Sequence, residues 1–466
     1  MTNPPDSLWW ATRGSDSTER PPLTGSLDVD VVIVGGGYTG LWTARELLAC
    51  EPSLRIAVVE ARVCGFGASG RNGGWASALF PVSDEVLERR YGFETVRHVH
   101  RHLARAVSEL GQAIARDAID ADFVHGGTYT FATTEPQEGR LRAAVADAAS
   151  RGLGDALQWL ERDELHDRAR VANSRGAAYT PDCARIHPAK LVRGLARAVE
   201  DAGGRIYESS PVTRIEAGTS RRRPRVITVG GTISADFVVR ATEAFTTGLP
   251  GERRTVAPIY SLMIATEPQE QSFWDEHGFA DYATFADDRH LIIYGQRTAD
   301  NRIAFGGRGA PYHFGSSVEP RFDSSERVFE LLLTTLREFF PDLRGDYDFA
   351  WGGPLGMSRD LMPSVWVDYE SGLAAAGGYT GDGVVLSYLS GRILSQLLTT
   401  PSTPTADTTL PFVQRRSRRW EVEPLRFAGI NAGLALATWA DYIEERRHVA
   451  SRASGLLDRL FDQFPP

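Results

Sequence analysis

Asp28-Val29-Asp30-Val31-Val32-Ile33-Val34-Gly35-Gly36-Gly37-Tyr38-Thr39-Gly40 is the stretch whose reading decides the fold. Its first seven residues form a β-branched run of the kind found in a buried parallel strand. The run leads straight into a G-x-G-x-x-G pattern, and Leu41 to Cys50 reads as a helix. A second strand, Ile56 to Val59, ends on Glu60, twenty residues past Gly40. Each part has a physical task in holding a dinucleotide. Gly35 permits the tight turn, Gly37 lets a pyrophosphate approach the backbone, and Gly40 allows close helix–strand packing. The helix N-terminus, with Tyr38 and Thr39 in its first turn, offers N–H groups and a positive dipole end to phosphates. Glu60 is placed to accept hydrogen bonds from ribose hydroxyls. A glycine motif alone is weak, but here strand, turn, helix, strand and acid occur in order.

Composition bounds what the rest can be. The 466 residues, 42% hydrophobic and 24% charged, suit an ordinary globular protein of two to four domains. A formal net charge of -9 lacks the electrostatic footprint of a nucleic-acid binder. The two local basic runs, Arg221 to Arg225 and Arg415 to Arg419, read as solvated surface. Cys50, Cys64 and Cys183 are far apart and in no metal-ligand spacing, so no metal site and a reduced, cytoplasmic chain are expected. Met1 to Pro22 has no apolar core of a signal peptide, and no run of apolar residues reaches membrane-spanning length. The chain has a single lysine, Lys190.

Two further glycine clusters point to a longer ligand than a nicotinamide dinucleotide needs. In Gly65 to Trp75, GFGASGRNGGW, small residues let backbone amides come close, and Arg71 and Asn72 add donors for phosphate or ring oxygens. A flexible loop has the same composition. Gly377 to Gly383, GGYTGDG, precedes a helix from Val384 to Leu398 whose Leu386, Leu389, Ile393 and Leu397 form one apolar stripe. That helix start places a second positive dipole end against the ligand, which suits the anionic charge of a reduced flavin.

With these residues in view, the chain resembles the D-amino-acid-oxidase-like FAD oxidoreductases, and among them the gamma-glutamylputrescine oxidoreductase branch. The stretches that carry the resemblance include PPLTGSLDVDVVIVGGGYTGLWTARELL, GFGASGRNGGW, SSPVTRI, VVRATEAFT, PIYSLMIATEP, RIAFGGRGAPY, WGGPLGMSRDLMPS, AAGGYTGDGV and RRWEVEPLRFAGI. They span nearly the whole chain in the family's order.

The resemblance implies an α/β protein with a Rossmann-like FAD-binding domain from 28–85, 180–250 and 350–398. An interleaved α+β substrate domain, 86–179 and 251–349, would put an antiparallel sheet over the flavin. A linker and helical tail, 399–466, would follow, with amphipathic stretches. From the residues themselves, His187 to Ala202 reads as a helix, Arg205–Glu216 and Val226–Val239 as strand-like, and Glu85 to Arg116 as the clearest helical stretch of the substrate domain. Ile259–Thr266, Leu291–Gln296 and Ile303–Phe305 read as strands of the roof.

The cofactor implied is FAD, held without a covalent bond because the family's attachment positions are unmatched, although Cys64 lies near the second cluster. Beyond the residues above, the resemblance assigns cofactor contacts to Ala61, Arg62, Ala68, Ser69, Gly73, Gly74, Val212, Ala241, Thr242, Gly353, Gly378, Thr380, Gly381, Asp382, Gly383 and Val384. It implies oxidation of a C–H bond next to nitrogen in an amine or amino acid, hydride transfer to flavin, and hydrolysis of the imine. Arg308 is the first candidate for a cation facing substrate or flavin, with a surface or interdomain ion pair as the alternative. Tyr260, Tyr312 and His313 are pocket candidates against ordinary packing. Trp75 is expected near the ring, and Asp382 near the flavin or a cationic amine. Oxygen is the expected acceptor. Because Lys190 is not in the roof sheet, a dehydrogenase feeding a quinone or carrier protein is the alternative, and a flavoprotein subunit of a larger oxidase a third reading.

Overall fold

The computed structural model describes residues 6–14, 19–307, 309 and 311–447. At its centre is a six-stranded sheet in the order Ser364–Asp368, Leu373–Gly377, Phe237–Arg240, Val31–Val34, Ile56–Val59, Arg205–Tyr207. All its pairs are parallel except the one between Ser364–Asp368 and Leu373–Gly377. Period-two alternation explains why a strand such as Val31–Val34 is apolar throughout. Val31 and Ile33 pack with helices Tyr38–Cys50, Pro188–Asp201 and Gly383–Thr399. Val32 and Val34 face the other way, against Val226 and Ile233 of a four-stranded sheet.

The expected strand from Asp28 to Val34 is in fact two. Gly25–Asp28 pairs with Gly231–Ser234 in the four-stranded sheet, and only Val31–Val34 enters the parallel one. Asp30 makes the corner between them: its carboxylate takes Arg55 at 2.6 Å and its carbonyl accepts the N–H of Asp236 at 3.0 Å. The helix expected over Glu85 to Arg116 is likewise two, Asp84–Tyr91 and Phe93–Arg116, separated by Gly92 at φ 87°. The longer one buries Val96, Val99, Leu103, Val107 and Leu110 in the same core as Leu41 and Leu389 of the central layer. Strand-like Arg205–Glu216 resolves into Arg205–Tyr207 and Val212–Glu216, and Val226–Val239 into three strands.

The roof is an eight-stranded sheet in the order Tyr347–Met357, Ala257–Thr266, Ile303–Gly307, Ile293–Arg297, Thr284–Asp287, Thr128–Ala132, Gly176–Thr180, Gln158–Glu161. It is antiparallel except where Thr284–Asp287 meets Thr128–Ala132. Its outer face is aromatic: Phe131, Phe279, Phe285 and Phe305 pack against Phe329, Phe339 and Phe340. Its inner face carries Met263, Ala265, Ala304 and Trp351 against Trp9 and Trp10.

The tail helix, Leu425–Arg447, docks largely by charge, with Ala437 and Ala440 buried; the rest of the expected helical tail, 448–466, lies outside the described residues. Glu444 binds Arg140 at 2.9 Å and His290 at 3.2 Å, and Asp441 accepts the N–H groups of His290 and Leu291. Leu425 and Trp439 are 65% and 54% exposed.

Candidate functional site

Four segments far apart in sequence meet at the C-terminal edge of the parallel sheet. The first is the turn after Val34. Gly35 sits at φ 112°, and a β-carbon there would lie 2.3 Å from Ala241 O. A β-carbon on Gly40 would lie 2.0 Å from Gly35 O, so the helix can approach the strand only if position 40 is bare. Gly37 caps helix Tyr38–Cys50 without a side-chain hydrogen bond. The Tyr38 N–H donates to Ser69 Oγ at 2.9 Å, which ties this turn to the second glycine cluster.

Glu60 is half-buried. Its carboxylate accepts the N–H groups of Gly36 and Arg62, both at 2.8 Å. Burial raises its pKa above the ordinary carboxylate value, against the pull of those N–H groups. Ala61 and Arg62 beside it are exposed, and Arg62 lies over the Phe66 ring. Val212 packs with Val34 and Val59. Ala241 donates its N–H to Val34 O at 2.8 Å, and Thr242 bonds Thr246 through their hydroxyls.

In the second cluster, Ala68–Gly70 forms one short turn of 3-10 helix. Arg71 is buried, and its guanidinium is committed to Asp323 at 2.8 Å and Gly352 O at 2.9 Å, against the roof edge at Gly353. Asn72 spends its side chain on its own loop, donating to Ala68 O and accepting from the Gly74 N–H at 2.8 Å. These two residues shape the loop through protein contacts rather than presenting their side chains outward. Gly73 and Gly74 pass beneath the roof, where β-carbons would meet Tyr294 at 2.6 Å and Gln296 at 2.0 Å. Trp75 stands edge-on to Tyr294, with centroids 6.2 Å apart.

The third cluster runs Gly377 to Gly383 before helix Gly383–Thr399. Gly378, Thr380 and Gly381 have φ of 74°, 56° and 113°. The Thr380 N–H donates to Gly356 O at 3.3 Å, and Asp382, half-buried, caps the helix through backbone geometry with its N–H on Tyr379 O. Val384 is buried. A hydroxyl bond of 3.0 Å between Thr39 and Tyr379 joins this helix start to the first one. Glu243, at φ 43°, lies in the fourth segment, between Gly356 and the Gly378–Tyr379 backbone.

The structure does not bring all the pocket candidates to this place. Tyr260 alternates with Ser261 and Met263, and it points into the outer aromatic layer with Leu262 and Ile264. His313 stacks on Phe322 at 3.4 Å and meets Tyr260 edge-on. Tyr312 donates its hydroxyl to Glu423 of the tail at 2.7 Å. Arg308 lies outside the described residues. Sequence reading missed Tyr294, Ser261, Gln296 and Glu243. The Tyr294 and Ser261 hydroxyls are 2.6 Å apart on the inner face of the roof, and Gln296 Nε2 donates to Gly73 O at 2.7 Å. The alternation of Tyr294 and Gln296 with Ile293 and Gly295 was a usable signal for a polar inner face.

A family model described as FAD dependent oxidoreductase (DAO) matches residues 30–397. The chain belongs to this family. It is 31% identical over 398 residues to gamma-glutamylputrescine oxidoreductase of Escherichia coli (strain K12), covering 84% of this chain and 88% of that protein. It is 27% identical over 382 residues to glycine oxidase of Geobacillus kaustophilus (strain HTA426), covering 79% and 92%. The crystal structure of glycine oxidase from Geobacillus kaustophilus superposes with a TM-score of 0.70 at 25% identity, covering 84% of this chain and all of that one. As an FAD-dependent oxidoreductase the chain has a donor set that fits its cofactor: two helix starts whose N-caps make no side-chain capping bond, a carboxylate beside the first, and glycines whose β-carbons would fill the cradle. Two buried polar atoms in the cluster, Trp75 Nε1 and Glu243 Oε2, have no hydrogen-bond partner among the described residues. Among the described residues no helix is long and apolar enough to cross a membrane, and no cluster of acidic, His and Cys side chains could hold a metal.

Proposed function

We propose that the protein oxidises the C–H bond next to the nitrogen of a primary or secondary amine or an amino acid, the imine then being hydrolysed in water. When bound, FAD supplies the two-electron acceptor for this chemistry. The observation that carries the reading is that the two helix starts are joined through Thr39 and Tyr379, while the loop that binds the first of them through Ser69 runs on to meet the Tyr294–Ser261 pair of the roof at Gly73 and Trp75. The names of the relatives, an oxidoreductase of a putrescine derivative and a glycine oxidase, support nitrogen next to the reacting carbon.

In this reading Gly35, Gly37, Tyr38, Thr39 and Gly40 hold the pyrophosphate, and Glu60 with Ala61 and Arg62 borders the adenosine ribose. Val212, Ala241 and Thr242 line the same half. Ala68, Ser69, Gly73, Gly74, Gly353, Gly378, Thr380, Gly381, Asp382, Gly383 and Val384 border the ring half, with Arg71 and Asn72 fixing the loop. Tyr294, Ser261 and Trp75 would keep water from the reacting end of the cofactor. Such a low-dielectric wall favours the neutral amine, whose lone pair the oxidation needs, without a dedicated base. Tyr260 and His313 are left as packing residues.

Oxygen is the acceptor we favour. One observation speaks for a carrier instead: Lys190 is bound by Asp122 at 2.7 Å and Asp120 at 3.5 Å on helix Pro188–Asp201, so its ammonium is engaged away from the roof. Turnover of an amine panel with oxygen and with an artificial dye compares the two. Oxidase chemistry gives comparable rates, whereas dye turnover without oxygen consumption moves the assignment to a dehydrogenase. The flavin is expected to be released by acid. Cys64, the cysteine nearest the cradle, is fully buried against Gly36 and its thiol is pushed well above the ordinary range. Yellow colour remaining with the acid precipitate would overturn that.

A further inference from the structure

Glu243 is an acid where the fold has no evident use for one. It begins a short 3-10 segment, Glu243–Gly248, two residues after Ala241, whose carbonyl abuts Gly35. Its backbone has φ 43°, a conformation that costs a non-glycine residue free energy and persists only where its surroundings enforce it. Its Oε1 accepts the Tyr379 N–H at 3.4 Å, while Oε2 is buried with no hydrogen-bond partner among the described residues. A β-carbon at Gly356 would stand 2.0 Å from Oε2, so the roof strand is bare where this carboxyl lies against it.

We propose that Glu243 is a proton-linked positioning residue of the cofactor site: it is a neutral acid when FAD is bound, so FAD binds together with a proton. The inference rests on the cofactor reading above and extends it to one side chain. The charges around Glu243 support it. The cation that acts on it is Arg240, at the end of strand Phe237–Arg240, whose guanidinium is shared with Glu252 at 3.2 Å. From the Gly377–Gly383 loop comes Tyr379, a phenol kept neutral by burial, and the Gly356 strand brings no charge to it. No ion pair to Glu243 occurs among the described residues.

Burial pushes its carboxyl up to about 7, and the N–H groups of Tyr379, Gly356 and Gly378 pull it down without closing a good bond to Oε2. A bound pyrophosphate adds negative charge nearby, which disfavours the carboxylate further. Linkage then has a definite sign. At low pH both states carry the proton and affinity is flat. As pH rises past the apoprotein's value, binding must take up a proton and FAD affinity falls.

The test is FAD affinity of the full-length apoprotein from pH 6 to 8.5, followed by flavin fluorescence. The dissociation constant is expected to rise about tenfold between pH 6 and 8, and E243Q to bind with the affinity of the pH 6 protein throughout. A flat wild-type profile, or the same slope in E243Q, overturns the proposal. Should E243Q not fold, proton uptake by the wild type is read with an indicator dye at pH 7 as FAD is added. Uptake of a substantial fraction of a proton per FAD supports the proposal, and none contradicts it. FAD bound equally at every pH defeats this inference alone, whereas no FAD binding at any pH defeats the cofactor reading with it.

Discussion

The two glycine-rich helix starts do similar work by different means. Around Gly35–Gly40 the glycines answer to contact: bare positions 35 and 40 face carbonyl oxygens at 2.3 and 2.0 Å, and only Gly35 has a positive φ. Around Gly377–Gly383 they answer to backbone conformation: Gly377 has nothing within 4 Å of a β-carbon, yet Gly378, Thr380 and Gly381 all turn through positive φ. The first cradle is therefore set by packing of the central layer and needs no ligand to keep its shape. The second is a contorted loop held by a few bonds, such as Thr380 N–H to Gly356 O and the Thr39–Tyr379 hydroxyl pair.

Substitutions sharpen that contrast. Gly40→Ala should do most damage, costing about 3 kcal/mol or more because the methyl group would drive into the Gly35 carbonyl, which is backbone and cannot swing aside. Urea unfolding measures it, and an unchanged midpoint would break the packing account of the first cradle. Glu60→Gln should leave unfolding nearly unchanged but weaken FAD binding about 10- to 100-fold, the scale of one hydrogen bond to a charged group. Equal affinity in fluorescence titration would move the ribose contact elsewhere. Gly378→Ala should cost least, about 1–2 kcal/mol for a left-handed residue with a Cβ. Its β-carbon lies 3.2 Å from Ser358 Cβ, a side chain that must yield by only a few tenths of an ångström. A loss larger than that of Gly40→Ala would reverse the comparison.

Much of the first cradle was legible because its information is local. Val31–Val34, helix Tyr38–Cys50 and strand Ile56–Val59 follow from composition and spacing within thirty residues. The corner at Asp30 was not, because a seven-residue β-branched run gives no sign that two strands of different sheets share it. Gly92 breaks the stretch from Glu85 to Arg116, and the helical reading of that stretch passed over it. Tyr260 shows a different limit: alternation tells which residues share a face but not which face meets the cofactor. Glu243 and Tyr294 depend on contacts with Gly356, Tyr379, Ser261 and Gly73, a hundred or more residues away for all but Ser261, and local pattern carries none of that.

The central claim is that an amine reduces FAD held by these cradles. The direct measurement is the visible spectrum of the FAD-loaded protein under anaerobic conditions, titrated with polyamines, N-methyl amines and D-amino acids. Flavin bands are expected to bleach with one of these classes. Bands that none of them bleaches would contradict the proposed reaction, and failure to take up FAD at all would contradict the site itself.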